Sequence, residues 1–432
     1  MNRKIIIPII TAITAVTLIA GGCTADKTGS ETAPESSVTQ TTAETLDEKN
    51  AVKITLNDTT AQVSGNGAAQ QDGNLVITSG GTYTLSGNLK DGSVIVDADK
   101  NDVTLIFDGV SVTSSASSAV NVVSAGKVTV SLKDGTQNTL TDTAEYSFDG
   151  EFADKEKEEP DACLFSDSDL IITGNGKLTV NGNYKNGIKS KDNLTIDSGE
   201  ISVKCANNAL TGSDSVTVNS GTITVNAEGD GIHSNADVII NGGTLNLQCA
   251  DDAIHGDNSV TVNSGKIDIT AHEGLEATVV TVNDGEITIN ADDDGINAAQ
   301  KVDGITPAVE INGGTISITM GQGDTDAIDS NGNITINGGK IAISAQSPFD
   351  YDGKAELNGG ELTVNGETVT EISNQFGAGM QGFGGRERGN TTGGENGGFR
   401  RGFENGEMPQ DGSAPAFPQD GMRPGFETGE ST

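Results

Sequence analysis

Three successive stretches of the chain, Glu200–Gly221, Thr222–Gly243 and Thr244–Gly265, are each 22 residues long, and each closes on Asn-Ser-Gly or Asn-Gly-Gly. Lys177–Gly199 precedes them. Lys266–Gly285, Glu286–Gly314, Thr315–Gly339 and Lys340–Gly360 follow as shorter or longer versions. A unit of this length cannot bury a hydrophobic face alone; it is stable only when neighbours stack on it. Each unit opens with alternation such as "TITV", passes a "DGI" or "DAI" step, runs "VTVN" and turns. Alternation over four residues gives short strands, and Asn and Gly suit corners that need positive φ. Three short strands per unit and no helical stretch predict an all-β parallel β-helix.

The apolar residues fall into columns that predict its core. Ile201, Ile223, Leu245, Ile267, Ile287, Ile316, Ile341 and Leu362 share one position. Val203, Val225, Leu247, Ile269, Ile289, Ile318, Ile343 and Val364 share the position two further on. Leu210, Ile232, Ile254, Leu275, Ile296 and Ile328 mark a middle strand, and the Val216/Val218, Val238/Ile240, Val260/Val262 and Val280/Val282 pairs mark a third. Coils would stack at the strand spacing of about 4.8 Å. Cys205 and Cys249 share a column two coils apart, roughly 9.6 Å, which is too far for a disulfide. They read as buried free thiols, and Cys163 reads likewise.

Beyond the regular coils the chain divides by composition. Residues 1–22 carry Arg3 and Lys4, then an apolar run to Ala20 and "AGGC". This is the pattern of a lipoprotein signal peptide, with Cys23 as the lipidated residue, although Ala20 stands where leucine is usual. Residues 23–50 form a Ser/Thr-rich tether expected to be disordered. The β-helix is placed at 51–372, its first coils being less regular. An acidic insertion at 143–162, "AEYSFDGEFADKEKEEPDA" from Ala144, is expected as a long loop on the wall. The Gly-rich stretch 373–432 shows no period and is expected to be disordered. The expected location is the outer face of the cell membrane, held by a lipid anchor.

The formal charge is −37, which excludes nucleic acid as a partner. Part of that charge is ordered. The residue two before each middle-strand Ile or Leu reads Asn186, Asn208, Asp230, Asp252, Glu273, Asp294 and Asp326. Asp251, Asp292, Asp293, Asp324 and Asp329 thicken the column. Carboxylates stacked about 5 Å apart repel one another unless cations lie between them or water solvates them. Oxygen-only ligands suit Ca²⁺, and no Cys or His spacing supports zinc. Turn propensity alone explains the two asparagines but explains "ADDDG" and "GDTDAIDS" poorly. One residue after the Ile, Lys189, Thr211, His233, His255, Glu276, Asn297 and Asp329 form a second, outward column. His233 and His255 are candidates for sugar contact or pH sensing, with a surface role the alternative. His272 has no partner in the sequence.

The stretch "LIITGNGKLTVNGNYKNGIKSKDNLTIDSG", with the "DGIHS" and "DDAIHG" coils that follow, resembles the β-helix carbohydrate-binding domain family of bacterial surface lipoproteins, over residues 52–372. The resemblance implies a right-handed β-helix, similar in fold to calcium-dependent pectate lyases, that binds calcium and plant cell-wall polysaccharides. With no Trp and only scattered Tyr, an aromatic platform for crystalline cellulose is missing. Tyr184 alone is well placed, beside Lys185. An acidic glycan such as polygalacturonate, bridged by Ca²⁺, suits the Asp column better. Three functions stay open: a monomeric, non-catalytic polysaccharide binder; a pectate-type lyase with Lys189, or Lys185 or Lys191, as base; and a structural protein rigidified by calcium. The surrounding acids would raise a lysine pKa rather than lower it, which weighs against the lyase.

Overall fold

The computed structural model describes residues 48–322 and 325–374. Cys23, the proposed signal segment, most of the tether, Asp324 and the Gly-rich stretch from 375 lie outside the described residues. Within them the regular secondary structure is β-strand, stacked in parallel into a solenoid of about 13 turns. Among the described residues, antiparallel strand pairing occurs only at the two ends, apart from one isolated antiparallel bridge, Asp154 to Glu159, in the insertion. Val52–Asp58 pairs with Thr60–Ser64 and Ala68–Gln71 with Asn74–Ile77 at one end, and Glu361–Val364 with Glu367–Val369 at the other. These hairpins cover the open edges that a parallel stack would otherwise present.

A regular coil has three strands, one per face. In one coil they are Thr222–Ala227, Ile232–Ser234 and Asp237–Ile240. On the first face, exposure alternates strictly, with Ile223 and Val225 inside and Thr222, Thr224 and Asn226 outside. The register links Ile201 to Ile223, Leu245, Ile267, Ile287, Ile316, Ile341 and Leu362 without a slip, so the predicted columns are the real ones. Aliphatic side chains from all three faces meet in one continuous core. Each coil adds a few such groups, worth roughly 1.5–3 kcal/mol each when fully buried, and gains them only against the coils above and below. Cys205 and Cys249 flank Ala227 in one column, as expected for unbridged thiols. Cys205 and Cys163 are buried, whereas Cys249 is only half-buried. Burial pushes the Cys205 and Cys249 thiols up to about 12.

The corner between the third and first faces needs positive φ. Gly243 sits at φ +100°, and a Cβ there would meet the Gly221 carbonyl at 2.9 Å. Beside these glycines runs a ladder of asparagines. The Asn241 amide donates to Asn219, Asn263 to Asn241, Asn283 to Asn263, Asn312 to Asn283, Asn337 to Asn312 and Asn358 to Asn337, all at 2.8–3.0 Å. The acidic insertion packs on the second face. The Tyr146 hydroxyl donates to Asp142 at 2.5 Å, and the Asn121 amide donates to the Phe152 carbonyl at 2.8 Å.

Candidate functional site

Two rows of polar side chains run along the second face, three residues apart in each coil. The inner row is Asn186, Asn208, Asp230, Asp252, Glu273, Asp294 and Asp326. Backbone bonds join its members coil by coil, from Gly187 N–H to the Asn208 carbonyl through Gly295 N–H to the Asp326 carbonyl. Glu273 keeps its place although its coil is shorter. The outer row is in strand register: Lys189, Thr211, His233, His255, Glu276, Asn297 and Asp329.

The inner row has a structural task. At four of its six coil-to-coil steps a side-chain oxygen accepts the backbone N–H of the next member of the row. Asn186 accepts from Asn208, Asn208 from Asp230, Asp230 from Asp252 and Asp294 from Asp326, at 2.9–3.3 Å. Asparagine and aspartate perform this capping equally well, because each offers an oxygen at the same reach.

Charge along the face falls into three zones. At the Lys189 end, the insertion supplies a carboxylate for each candidate lysine. Asp161 lies 2.7 Å from Lys189, Glu158 3.4 Å from Lys185 and Glu159 2.9 Å from Lys191, which also meets Asp167 at 2.6 Å. Burial opposes the charged form of Lys185 and Lys191, but their hydrogen bonds and carboxylate neighbours outweigh it and raise both. The Tyr184 ring stacks on Tyr146 with centroids 4.3 Å apart, so the insertion occupies part of the aromatic surface expected to meet sugar.

In the middle zone the two imidazoles stack at 4.9 Å. His233 Nδ1 lies 2.7 Å from Asp230, and His255 Nδ1 lies 2.8 Å from Asp252 and 2.7 Å from Glu276. Glu276 in turn receives Lys301 at 2.5 Å. Burial works against ionised Glu276, yet hydrogen bonds from His255, Asp252 and Lys301 hold it down to about 2. Burial, then the neighbouring Glu276, pushes Asp252 up to about 6.

The third zone, from Glu273 to Asp329, holds crowded oxygen donors. Carboxylate atoms of Glu273, Asp293 and Asp294 lie within 4.8 Å of one another, as do those of Asp230, Asp251 and Asp252 nearer the middle. Burial, followed by neighbouring carboxylates, raises Glu273 to about 8, Asp294 to about 7 and Asp329 to about 6. The Asn297 amide donates to Glu273 at 3.0 Å, while Asn297 Oδ1 is buried with no hydrogen-bond partner. A buried carbonyl oxygen left unpaired costs about 1–3 kcal/mol, and it belongs to the ligand type a hard cation takes. The donor set here is therefore oxygen-only and fits Ca²⁺.

Some expected residues stand apart. Asp292 is largely exposed and pairs with His272 at 2.7 Å, while His272 Nε2 reaches Asp293 at 3.5 Å, so His272 has the partners its sequence context did not reveal. Asp251 is exposed at the corner. Asp326 receives the Ser347 hydroxyl, and its backbone N–H is the last one the row caps, donated to Asp294. Glu276 and Asn297 stood in the outer column but were not read as ligands. The i, i+3 spacing shared by Asp252/His255 and Glu273/Glu276 was the signal available. Lys301 has none, because it lies in an irregular stretch between strands.

Comparison with known proteins bears on the family. A family model described as carbohydrate-binding domain-containing protein matches residues 71–279 and 273–377, most of the chain. A curated protein of Acetivibrio thermocellus with the same description is 41% identical over 139 residues. That match covers 32% of this chain and spans 47% of the relative's length. A solved structure, described as the polysaccharide lyase-like protein from C. thermocellum in a gadolinium derivative, is 29% identical. It covers 73% of this chain and 96% of that one, with a TM-score of 0.39.

Proposed function

The chain belongs to the carbohydrate-binding domain family, and from that premise we propose that it is a non-catalytic polysaccharide-binding protein whose second face takes an acidic glycan through calcium. The observation that carries this reading is the Glu273–Asp329 zone. There, carboxylates stand where Asn186 and Asn208 show that a neutral amide completes the same backbone capping. Glu273, Asp293, Asp294 and Asn297 Oδ1 would hold the ion, with Asp326 and Asp329 in the neighbouring coil. A bound Ca²⁺ supplies positive charge on a face that otherwise repels uronates. The protein's own part is to fix the spacing of the donors: parallel stacking repeats them at the strand interval, about 4.8 Å, along an extended polymer.

The lysines support binding over lyase chemistry. A base must be unprotonated near neutral pH, and a carboxylate stands against each of Lys185, Lys189 and Lys191. The N-terminal segment favours a lipid on Cys23, which would display the solenoid on the outer face of the membrane.

Retention of the protein on immobilised polygalacturonate, in calcium and in chelator, tests the reading. Retention in calcium should be lost in chelator and in the Glu273→Gln/Asp294→Asn double variant, without an unsaturated, ultraviolet-absorbing product. Retention indifferent to chelator would overturn the calcium bridge, and formation of that product would overturn the non-catalytic assignment.

A further inference from the structure

The middle zone differs in donor chemistry from the oxygen-only zone beside it. His255, Asp252 and Glu276 come from two adjacent coils and bring one nitrogen and two carboxylate oxygens within 4.8 Å of one another. Their side chains are 12%, 10% and 7% exposed, so the cluster is shielded by the face itself. The other ring nitrogen, Nε2, faces Asp257 Oδ1 at 3.3 Å. A carboxylate there accepts a hydrogen bond from Nε2–H and keeps Nδ1 turned toward Asp252 and Glu276, an outer-shell arrangement that commonly orients a metal-binding imidazole. The second oxygen of Glu276 is held by Lys301, which fixes the first toward the ring.

We propose that His255 Nδ1, Asp252 Oδ2 and Glu276 Oε2 form a site for a borderline divalent cation of the zinc class, separate from the calcium zone. In the free protein Nδ1 shares a proton with the two carboxylates, and a divalent cation would displace that proton and take Nδ1 and both oxygens as ligands. Zinc bonds of about 2.0–2.2 Å in a tetrahedron place ligands roughly 3.3–3.6 Å apart, so the carboxylate oxygens, now 2.8 and 2.7 Å from Nδ1, would each move out on metal binding. Two carboxylates neutralise a divalent ion, and calcium prefers six to eight oxygens to a mixed set of three. Three protein ligands leave a tetrahedral ion one position for water or a sugar oxygen. The spacing rules for zinc sites miss this group because its members are adjacent only after the coils stack. The inference stands apart from the polysaccharide reading.

The test is a titration of the full chain with Co²⁺, followed by visible d–d absorption, and with Zn²⁺, followed by calorimetry, both in saturating Ca²⁺. The expected result is one cobalt band and one zinc equivalent that calcium does not displace. His255→Gln and Glu276→Gln should each abolish the band, and Asp257→Asn should weaken zinc binding by about tenfold. Asp294→Asn and His272→Gln should leave both signals intact. Melting curves in chelator confirm that each variant is folded. No band in the parent protein, a band that survives both His255→Gln and Glu276→Gln, or zinc displaced by equimolar calcium would overturn the site.

Discussion

Two polar rows climb the same solenoid, one step per coil, and they solve the same problem differently. At the corner between the third and first faces, asparagines from Asn219 to Asn358 pass hydrogen bonds from amide to amide. Each carries a donor and an acceptor, so the ladder is neutral and self-satisfying. At the corner leading into the second face, the row begins with Asn186 and Asn208 and then changes to Asp230, Asp252, Glu273, Asp294 and Asp326. Asparagine would have continued the capping there. The carboxylates keep the oxygen but lose the donor, and they bring repulsion and a desolvation cost. That cost is visible in the raised Glu273, Asp294 and Asp329. Demand for a corner oxygen explains the first row and half of the second. The other half is what the proposed cation accounts for.

The largest expected effect tests that difference directly. Saturating calcium, at about 100 times its dissociation constant, should stabilise the parent solenoid by about 2.7 kcal/mol. The Glu273→Gln/Asp294→Asn variant should lose most of that gain, yet be more stable than the parent in chelator. Thermal melts under the two conditions read both signs. A variant less stable than the parent in chelator would mean that the carboxylates are structural, and the contrast between the rows would collapse.

The next effect is in pH. Glu273, Asp294 and Asp329 have folded values of about 8, 7 and 6, above their ordinary range near 4. A raised carboxyl contributes stability that is complete below the unfolded value and is lost as pH rises through the folded one. In chelator, stability should therefore fall between pH 5 and pH 8, by on the order of 2 kcal/mol since the groups are more than half buried. Calcium should flatten the decline, because the ion takes the place of the lost protons. Denaturant melts across that range check it, and a chelator curve that rises with pH would contradict it.

What could be read from the chain was whatever repeats. The inward columns survive changes in coil length because burial selects aliphatic residues at a fixed step, and even Glu273 aligns through its shortened coil. The inner and outer rows were equally legible for that reason. The pairing of Lys185, Lys189 and Lys191 with Glu158, Asp161 and Glu159 was not. It joins an aperiodic insertion to a coil more than twenty residues away, and no spacing rule connects them. Lys301 escaped for the same cause. The asparagine ladder is visible residue by residue but reads in sequence as turn preference, because hydrogen bonding between coils appears only once the coils are stacked.

The ladder supplies the smallest effect and the control for the rest. Asn263 donates to Asn241 and accepts from Asn283, both at 2.8 Å and both exposed to water. Asn263→Ala removes the two bonds but strands no buried group, since water can replace either partner. An exposed hydrogen bond contributes at the low end of the usual range, so the loss should be about 1 kcal/mol. It should be the same in calcium and in chelator, and the same at pH 5 and pH 8, because nothing in the ladder carries charge. A loss that depends on calcium would show that the two corners are coupled through the coil. In that case the acidic row could not be analysed as a separate element, since its cation would be setting the strand spacing on which the neutral ladder also depends.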